Sequence, residues 1–156
     1  MGCEIERKFL VCGTAYKNAA IARRHIVQGY LSTDADATVR VRIADDKAYI
    51  TVKSRNRGAV RGEWEYAIPV DDARAMLGLC GNRTIEKTRW IVPAGDGLVW
   101  EVDEFGGRHA GLMVAEIELA AEDAPMPPLP EFIGAEVTGD ARYYNSQLVL
   151  SGSPGR

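Results

Sequence analysis

Glu4, Glu6 and Lys8 occupy alternate positions in Glu4-Ile5-Glu6-Arg7-Lys8, with Ile5 and Phe9 in the opposite register. Alternate side chains of a β-strand share one face. Two carboxylates and an ammonium would stand together there, and the apolar residues would take the other face. The arrangement recurs. Charges two residues apart appear at Arg40 and Arg42, Lys53 and Arg55, Glu63 and Glu65 (preceded by Arg61), Lys87 and Arg89, Glu101 and Asp103, and Glu116 and Glu118. Carboxylates are the hard oxygen ligands that Mg²⁺ and Mn²⁺ take. Arginine presents a planar fork to phosphate oxygens, and lysine a point charge. Carboxylate pairs on some segments and cationic pairs on others suit a site that holds a divalent metal together with a polyanion.

A plainer account exists, because an antiparallel sheet wet on one face also alternates apolar and polar residues. That account predicts mixed polar residues on the wet face. It gives no reason for like charges at i and i+2, which repel each other. A metal and phosphate site gives one.

The elements that must position these charges are strands. Segments with strand character run over 3–10, 26–32, 38–44, 48–55, 61–69, 84–92, 98–105 and 113–120. Their second register is apolar or aromatic: Val39, Val41 and Ile43, then Ile50 and Val52, then Trp64, Tyr66 and Ile68, then Trp90, Val92, Trp100 and Val102, then Ile117 and Leu119. Asp45-Asp46 reads as a hairpin turn, and Pro93-Ala94-Gly95-Asp96-Gly97 as the next. Helices are expected over 14–24 and 71–79, with a short one over 140–148 that could plug or brace one barrel end through Arg142, Tyr143 and Asn145. The proline-rich stretch 124–134 reads as an extended loop. An eight-stranded antiparallel sheet tends to close, which removes its edges. Closure with the charged register inward makes a polar tunnel, with the tryptophans outside as core beneath covering helices. An uncompensated buried charge costs roughly several kcal/mol, so such a tunnel calls for water, metal and a polyanion. The expected fold is mainly β (α+β), an eight-stranded antiparallel closed β-barrel tunnel with a few helices.

Bulk properties agree. A chain of 156 residues that is 46% hydrophobic and 26% charged is read as one domain over residues 1–150 with a flexible tail at 151–156. A net charge of −3 gives no general attraction to nucleic acid or membrane. No run is apolar enough to span a bilayer and no signal-peptide pattern is present, so a cytoplasmic protein is expected. Cys3, Cys12 and Cys80 lack metal-type spacing and read as free thiols in a reducing compartment. His25 and His109 are expected at the surface.

The ordered series of motifs resembles the CYTH superfamily, the triphosphate tunnel metalloenzymes, over nearly the whole chain. Its hallmark Glu-x-Glu-x-Lys is matched by Glu4-Ile5-Glu6-Arg7-Lys8. Further matches are Gln28-Gly29-Tyr30-Leu31, Arg40-Val41-Arg42, Thr51-Val52-Lys53, Glu63-Trp64-Glu65-Tyr66, Lys87-Thr88-Arg89, Val102-Asp103-Glu104-Phe105, Ala115-Glu116-Ile117-Glu118-Leu119, and Val137-Thr138 through Tyr143-Tyr144-Asn145. The resemblance implies a barrel that binds triphosphates with Mg²⁺ or Mn²⁺. It implies phosphate contacts from Lys8, Arg40, Arg42, Lys53, Arg61, Lys87 and Arg89, and metal contacts from Glu4, Glu6, Asp103, Glu116 and Glu118. Glu63, Glu65 and Glu101 are implied as supporting acids.

Within the family the chain looks most like the short bacterial inorganic triphosphatases. Tyr30 and Lys87 match a pair that some members use to activate the attacking water, with the tyrosine as phenolate accepting the proton. The expected reaction is metal-dependent hydrolysis of tripolyphosphate to diphosphate and phosphate, best at alkaline pH. Two other enzymes stay open, a class IV-type adenylate cyclase and a thiamine triphosphatase. A non-catalytic polyphosphate-binding module is a further alternative, against which the many inward acids argue. The expected partner is a small-molecule triphosphate, with no nucleic acid or membrane partner, and the chain is expected as a monomer or homodimer.

Overall fold

The alternation of charged and apolar residues yields nine strands, all paired antiparallel, in the computed structural model, which describes residues 2–151. They are β1 (Gly2–Val11), β2 (Ala22–Ser32), β3 (Thr38–Ala44), β4 (Lys47–Lys53), β5 (Val60–Ile68), β6 (Thr84–Gly95), β7 (Leu98–Phe105), β8 (Met113–Glu118) and β9 (Ile133–Glu136). Three α-helices accompany them: α1 (Tyr16–Ala19), α2 (Val70–Leu79) and α3 (Asn145–Ser151), with short 3₁₀ turns at Gly107–His109 and Ala141–Tyr143. None of the helices is long and apolar enough to cross a membrane.

Neighbouring strands follow the order β5-β4-β3-β2-β6-β7-β8-β1. The two ends of this series pair with each other, Gly2 through Ile5 against Glu63 through Val60, and close an eight-stranded barrel. The register of β1 explains how one strand can serve three partners. Its first residues lie against β5, Glu6 to Leu10 lie against β8, and Phe9 and Val11 pair with β9 on the edge that β5 has left. Asp45 turns the β3–β4 hairpin with φ 53°, a left-handed conformation that Asp tolerates better than most residues.

The barrel's outer face buries two apolar clusters. One sets α2 against β3 and β4 through Val41, Ala48 and Ala73. Gly29 of β2 permits the approach of this helix, since a Cβ there would meet Cys80 Sγ at 2.7 Å. The second gathers Phe9, Tyr16, Trp100, Ile117, Leu119 and Phe132. A third cluster lies in the inward register at one barrel end, where Leu148 and Val149 of α3 pack against Tyr30, Ile85, Phe105 and Val114. Apolar side chains thus fill that end, and the charges occupy the rest of the interior.

Several local expectations are corrected. The helix expected over 14–24 shrinks to the four residues of α1, and Ala22, Arg23 and Arg24 belong to β2. Their backbones pair with β6, Ala22 with Ile91 and Arg23 with Trp90, and that ladder outweighs the helical propensity of an alanine-rich run. The stretch 124–134 is more than a loop: Phe132 is buried and Ile133 enters β9. The tryptophans lie outside the barrel as expected, but only Trp100 is fully buried, against Phe9 and Phe132 rather than under a long helix. Tyr66 of the same register is 61% exposed. His109 is buried, contrary to its expected surface position, because its ring nitrogen Nε2 lies 2.8 Å from the Leu148 carbonyl. His25 is exposed beside Glu86. All three cysteines are free. The tail expected at 151–156 lies outside the described residues apart from Ser151, which ends α3.

Candidate active site

Strand order turns like-charged pairs into two halves of a barrel. β4, β3, β2 and β6 are consecutive, and they bring Lys53, Arg40, Arg42, Lys87 and Arg89 together. β7, β8, β1 and β5 complete the ring, and they carry Glu101, Asp103, Glu116, Glu118, Glu4, Glu6, Glu63 and Glu65. The exceptions are Lys8 and Arg61, cations on the acidic half. Between the halves lies a cavity of about 170 Å³.

The halves meet at two seams of ion pairs. At the β4–β5 seam Lys53 Nζ donates to Glu4 at 2.9 Å and lies 3.4 Å from Glu63, while Arg61 is 3.4 Å from Glu4. At the β6–β7 seam Arg89 grips Asp103 with two hydrogen bonds of 2.8 and 2.9 Å, and Lys87 Nζ lies 2.7 Å from Asp103 Oδ2. Longer contacts run along the inner wall, Lys8 to its cross-strand partner Glu116 at 3.7 Å and Arg89 to Glu116 at 3.6 Å. Among the described residues no three acidic side chains already converge as a metal cage; the acids are instead engaged by the cations.

Compensation is uneven. Burial pushes the Glu4 carboxyl up, but Lys53 overcomes this and holds it below the usual range. Glu116 is likewise held well down against burial by Lys8 and Arg89. Glu6 is the opposite case: burial and the neighbouring Glu116 push it well above an ordinary carboxyl. On the basic half, burial with Asp103 pulling the other way and Arg89 and Arg42 adding repulsion brings Lys87 down to about 7. Burial, then Arg40 and Arg89, bring Arg42 down to about 9. Arg42 has no carboxylate partner among the described residues; its Nε donates to Gln28 at 2.8 Å. Arg40 Nε is buried without any partner. The interior therefore holds a carboxyl short of a cation, Glu6, and a guanidinium short of an anion, Arg42, while Arg40 reaches Glu65 at 3.5 Å with its Nε left over.

Of the sequence-predicted site residues, fifteen line this one cavity: Tyr30, Lys8, Arg40, Arg42, Lys53, Arg61, Lys87, Arg89, Glu4, Glu6, Glu63, Glu65, Glu101, Glu116 and Glu118. Asp103 does not line it. It lies behind the wall, 1% exposed, with its oxygens taken by Arg89 and Lys87. Tyr30 and Lys87 line the same cavity but are not hydrogen-bonded to each other. Tyr30 faces Arg40 across the strand pair and its hydroxyl has no protein partner among the described residues, whereas Lys87 Nζ is engaged by Asp103 and by Asn145 at 2.8 Å. Arg55 lies away from the cavity, paired with Asp36 on the surface.

Sequence reasoning gave Gln28 and Thr51 no role of their own and Asn145 only a place on the plugging helix. Gln28 and Thr51 are buried in the inward register, Thr51 joining Arg40 to Glu65. The available signal was a polar residue breaking the charge pattern at an inward position.

The family model of the CYTH domain matches residues 2–144. This chain belongs to the CYTH family. It is 50% identical over 150 residues to a protein of Acetivibrio thermocellus named inorganic triphosphatase, covering 96% of this chain and 94% of that one. It is 37% identical over 150 residues to a Nitrosomonas europaea protein of the same name, covering 95% and 97%. A crystal structure of an inorganic triphosphatase, 34% identical, superposes with a TM-score of 0.69 and covers 99% of each chain. The CYTH barrel of the present chain thus aligns with these relatives from end to end.

Proposed function

We propose that this CYTH protein hydrolyses inorganic tripolyphosphate to diphosphate and phosphate with the aid of Mg²⁺ or Mn²⁺. The observation that carries the reading is the division of one cavity into a basic and an acidic half, in a chain whose relatives are named inorganic triphosphatases. A linear polyanion has its place along Arg40, Arg42, Lys53, Lys87 and Arg89, with Lys8 and Arg61 reaching it from the opposite wall. Arginine forks match phosphate oxygens two at a time, and the bound anion would supply the counter-charge that Arg42 lacks and a partner for Arg40 Nε.

The donor set fits a hard divalent cation. Glu4, Glu6, Glu116 and Glu118 crowd carboxylates into one wall, and the Glu6 carboxyl is pushed up by burial and then by its neighbour Glu116, a repulsion that a cation would relieve. These four would hold the metal. When bound, it would neutralise charge on the phosphoryl group and lower the proton affinity of coordinated water.

The proton of the attacking water is assigned in this reading to Tyr30. It lines the cavity, faces Arg40, and its hydroxyl is not spent on a protein partner. Lys87 serves the anion instead of a direct Tyr30 pair. Replacement of Tyr30 by phenylalanine is expected to cut kcat by about a hundredfold or more, the scale of general-base catalysis, with KM nearly unchanged. A kcat equal to wild type would remove Tyr30 from the chemistry.

The reaction is tested by phosphate release from tripolyphosphate, ATP and thiamine triphosphate with Mg²⁺ or Mn²⁺ across pH 7 to 10. Tripolyphosphate should dominate, the rate should rise toward alkaline pH, and EDTA should abolish it. Cyclic AMP from ATP would instead make the protein a cyclase, and binding without turnover would make it a polyphosphate-binding module.

A further inference from the structure

Amide and cationic side chains run in series beneath the basic half of the barrel. Arg42 Nε donates to Gln28 Oε1 at 2.8 Å, Gln28 Nε2 donates to Asn145 Oδ1 at 2.9 Å, and Lys87 Nζ donates to the same oxygen at 2.8 Å. A guanidinium and an ammonium carry donors and no acceptor. Arg42 therefore decides which end of the Gln28 amide faces it. Gln28 must then turn its NH₂ toward Asn145, and Asn145 must answer both Gln28 and Lys87 with its oxygen. Two independent donors fix the orientation of the Asn145 amide, and its Nδ2 is left to point elsewhere.

The cavity is open to this nitrogen. Asn145 lines it, Nδ2 has no protein partner among the described residues, and it is not one of the buried nitrogens sealed without a partner. The helix that carries Asn145 is anchored from the far side. Leu148 and Val149 fill the barrel end, the His109 ring nitrogen lies 2.8 Å from the Leu148 carbonyl, and Arg108 donates to the Val149 carbonyl at 2.6 Å. The amide is thus held in a fixed pose at the floor of the site.

We propose that Asn145 is a substrate-binding residue whose Nδ2 donates to a phosphate oxygen of the triphosphate. The proposal rests on the triphosphatase reading and deepens it. A neutral donor suits this position: Lys87, Arg89 and Arg42 already repel one another, and a further cation would add to that repulsion. The amide supplies direction without charge.

The test uses tripolyphosphate itself. Asn145→Ala should raise KM, and the Kd for tripolyphosphate measured by calorimetry in EDTA, by roughly tenfold or more, the scale of one hydrogen bond to a charged oxygen, while kcat stays within about threefold. In the wild-type protein the Asn145 side-chain amide resonances, assigned by through-bond correlation in the wild type itself, should move downfield when tripolyphosphate is added in EDTA. This second readout decides the matter even if the variant folds poorly. Unchanged KM and Kd in Asn145→Ala, a fall in kcat alone, or stationary amide resonances at saturation would overturn the proposal while wild-type turnover keeps the triphosphatase reading. A wild-type protein that neither binds nor hydrolyses tripolyphosphate would overturn both.

Discussion

Replacement of Arg42 by alanine is expected to lower kcat/KM for tripolyphosphate by about three orders of magnitude while leaving the fold as stable as before or more so. The two halves of this expectation share one cause. Arg42 is the inward guanidinium without a carboxylate among the described residues, and burial together with Arg40 and Arg89 already weakens its hold on its proton. A buried charge without a counter-ion opposes folding, so deleting it removes a cost and leaves only the Gln28 carbonyl in want of a donor, worth about 1 kcal/mol. In the working enzyme the missing counter-ion is the substrate. A guanidinium stabilising a phosphoryl group in transfer typically contributes about 10³-fold or more. Lysine should restore little, because it offers a point charge where a fork is needed. Arg89→Ala provides the contrast, since it strips the buried Asp103 of its main partner and should cost stability as well as activity. Steady-state kinetics and thermal melts of the three variants in EDTA check this. An Arg42→Ala enzyme within tenfold of wild type would sink the anion-clamp role, and one that melts well below wild type would show that its charge is compensated after all.

The charged face was legible in the sequence because a strand's side-chain period of two writes the inward face directly into the order of residues. Glu4, Glu6 and Lys8 could be placed together without a structure, and so could Arg40 with Arg42. What could not be read was which strands are neighbours. The pairing of β2 with β6 and of β1 with both β5 and β8 gathers the signs into two continuous halves, and ladder pairing is a long-range property that no local pattern states. The misread helix at 14–24 has the same origin: Ala22 to Arg24 follow their β6 partners rather than their own propensity. Gln28 and Asn145 were hidden for a different reason. Each is an uncharged amide whose importance comes from the cations on either side of it, and those cations lie on other elements. Asp103 was legible as an inward acid. Its depth behind the cavity wall was not, because register says which face a side chain takes and nothing about what stands between it and the opening.

Asp103 and Glu6, both implied as metal ligands by the family resemblance, should respond in opposite ways when neutralised in metal-free protein. Asp103 accepts from Arg89 twice and lies 2.7 Å from Lys87 Nζ in an ion pair, and these two cations hold its carboxyl below the usual range against the effect of burial. Asparagine at this position would leave two buried cations without their carboxylate. Breaking a buried pair from one side typically costs about 3–5 kcal/mol, which in a chain of this size lowers Tm by roughly 10 °C. Lys87 can relieve part of the deficit by shedding its proton, which it does near pH 7 even beside an intact Asp103. Arg89 keeps its charge. The loss should therefore be largest at pH 6 and smaller at pH 9. Glu6→Gln removes a carboxyl that burial and Glu116 hold well above its ordinary range, so the chelated variant should melt at the same temperature or higher. Its metal-dependent turnover should nevertheless collapse. Melting curves in EDTA at the two pH values decide between the positions these residues take. If Asp103→Asn matches wild type in EDTA and is destabilised only relative to metal-loaded wild type, Asp103 is a ligand. If it melts early with no metal present, Asp103 is the buried counter-ion that holds Lys87 and Arg89 where a triphosphate can meet them.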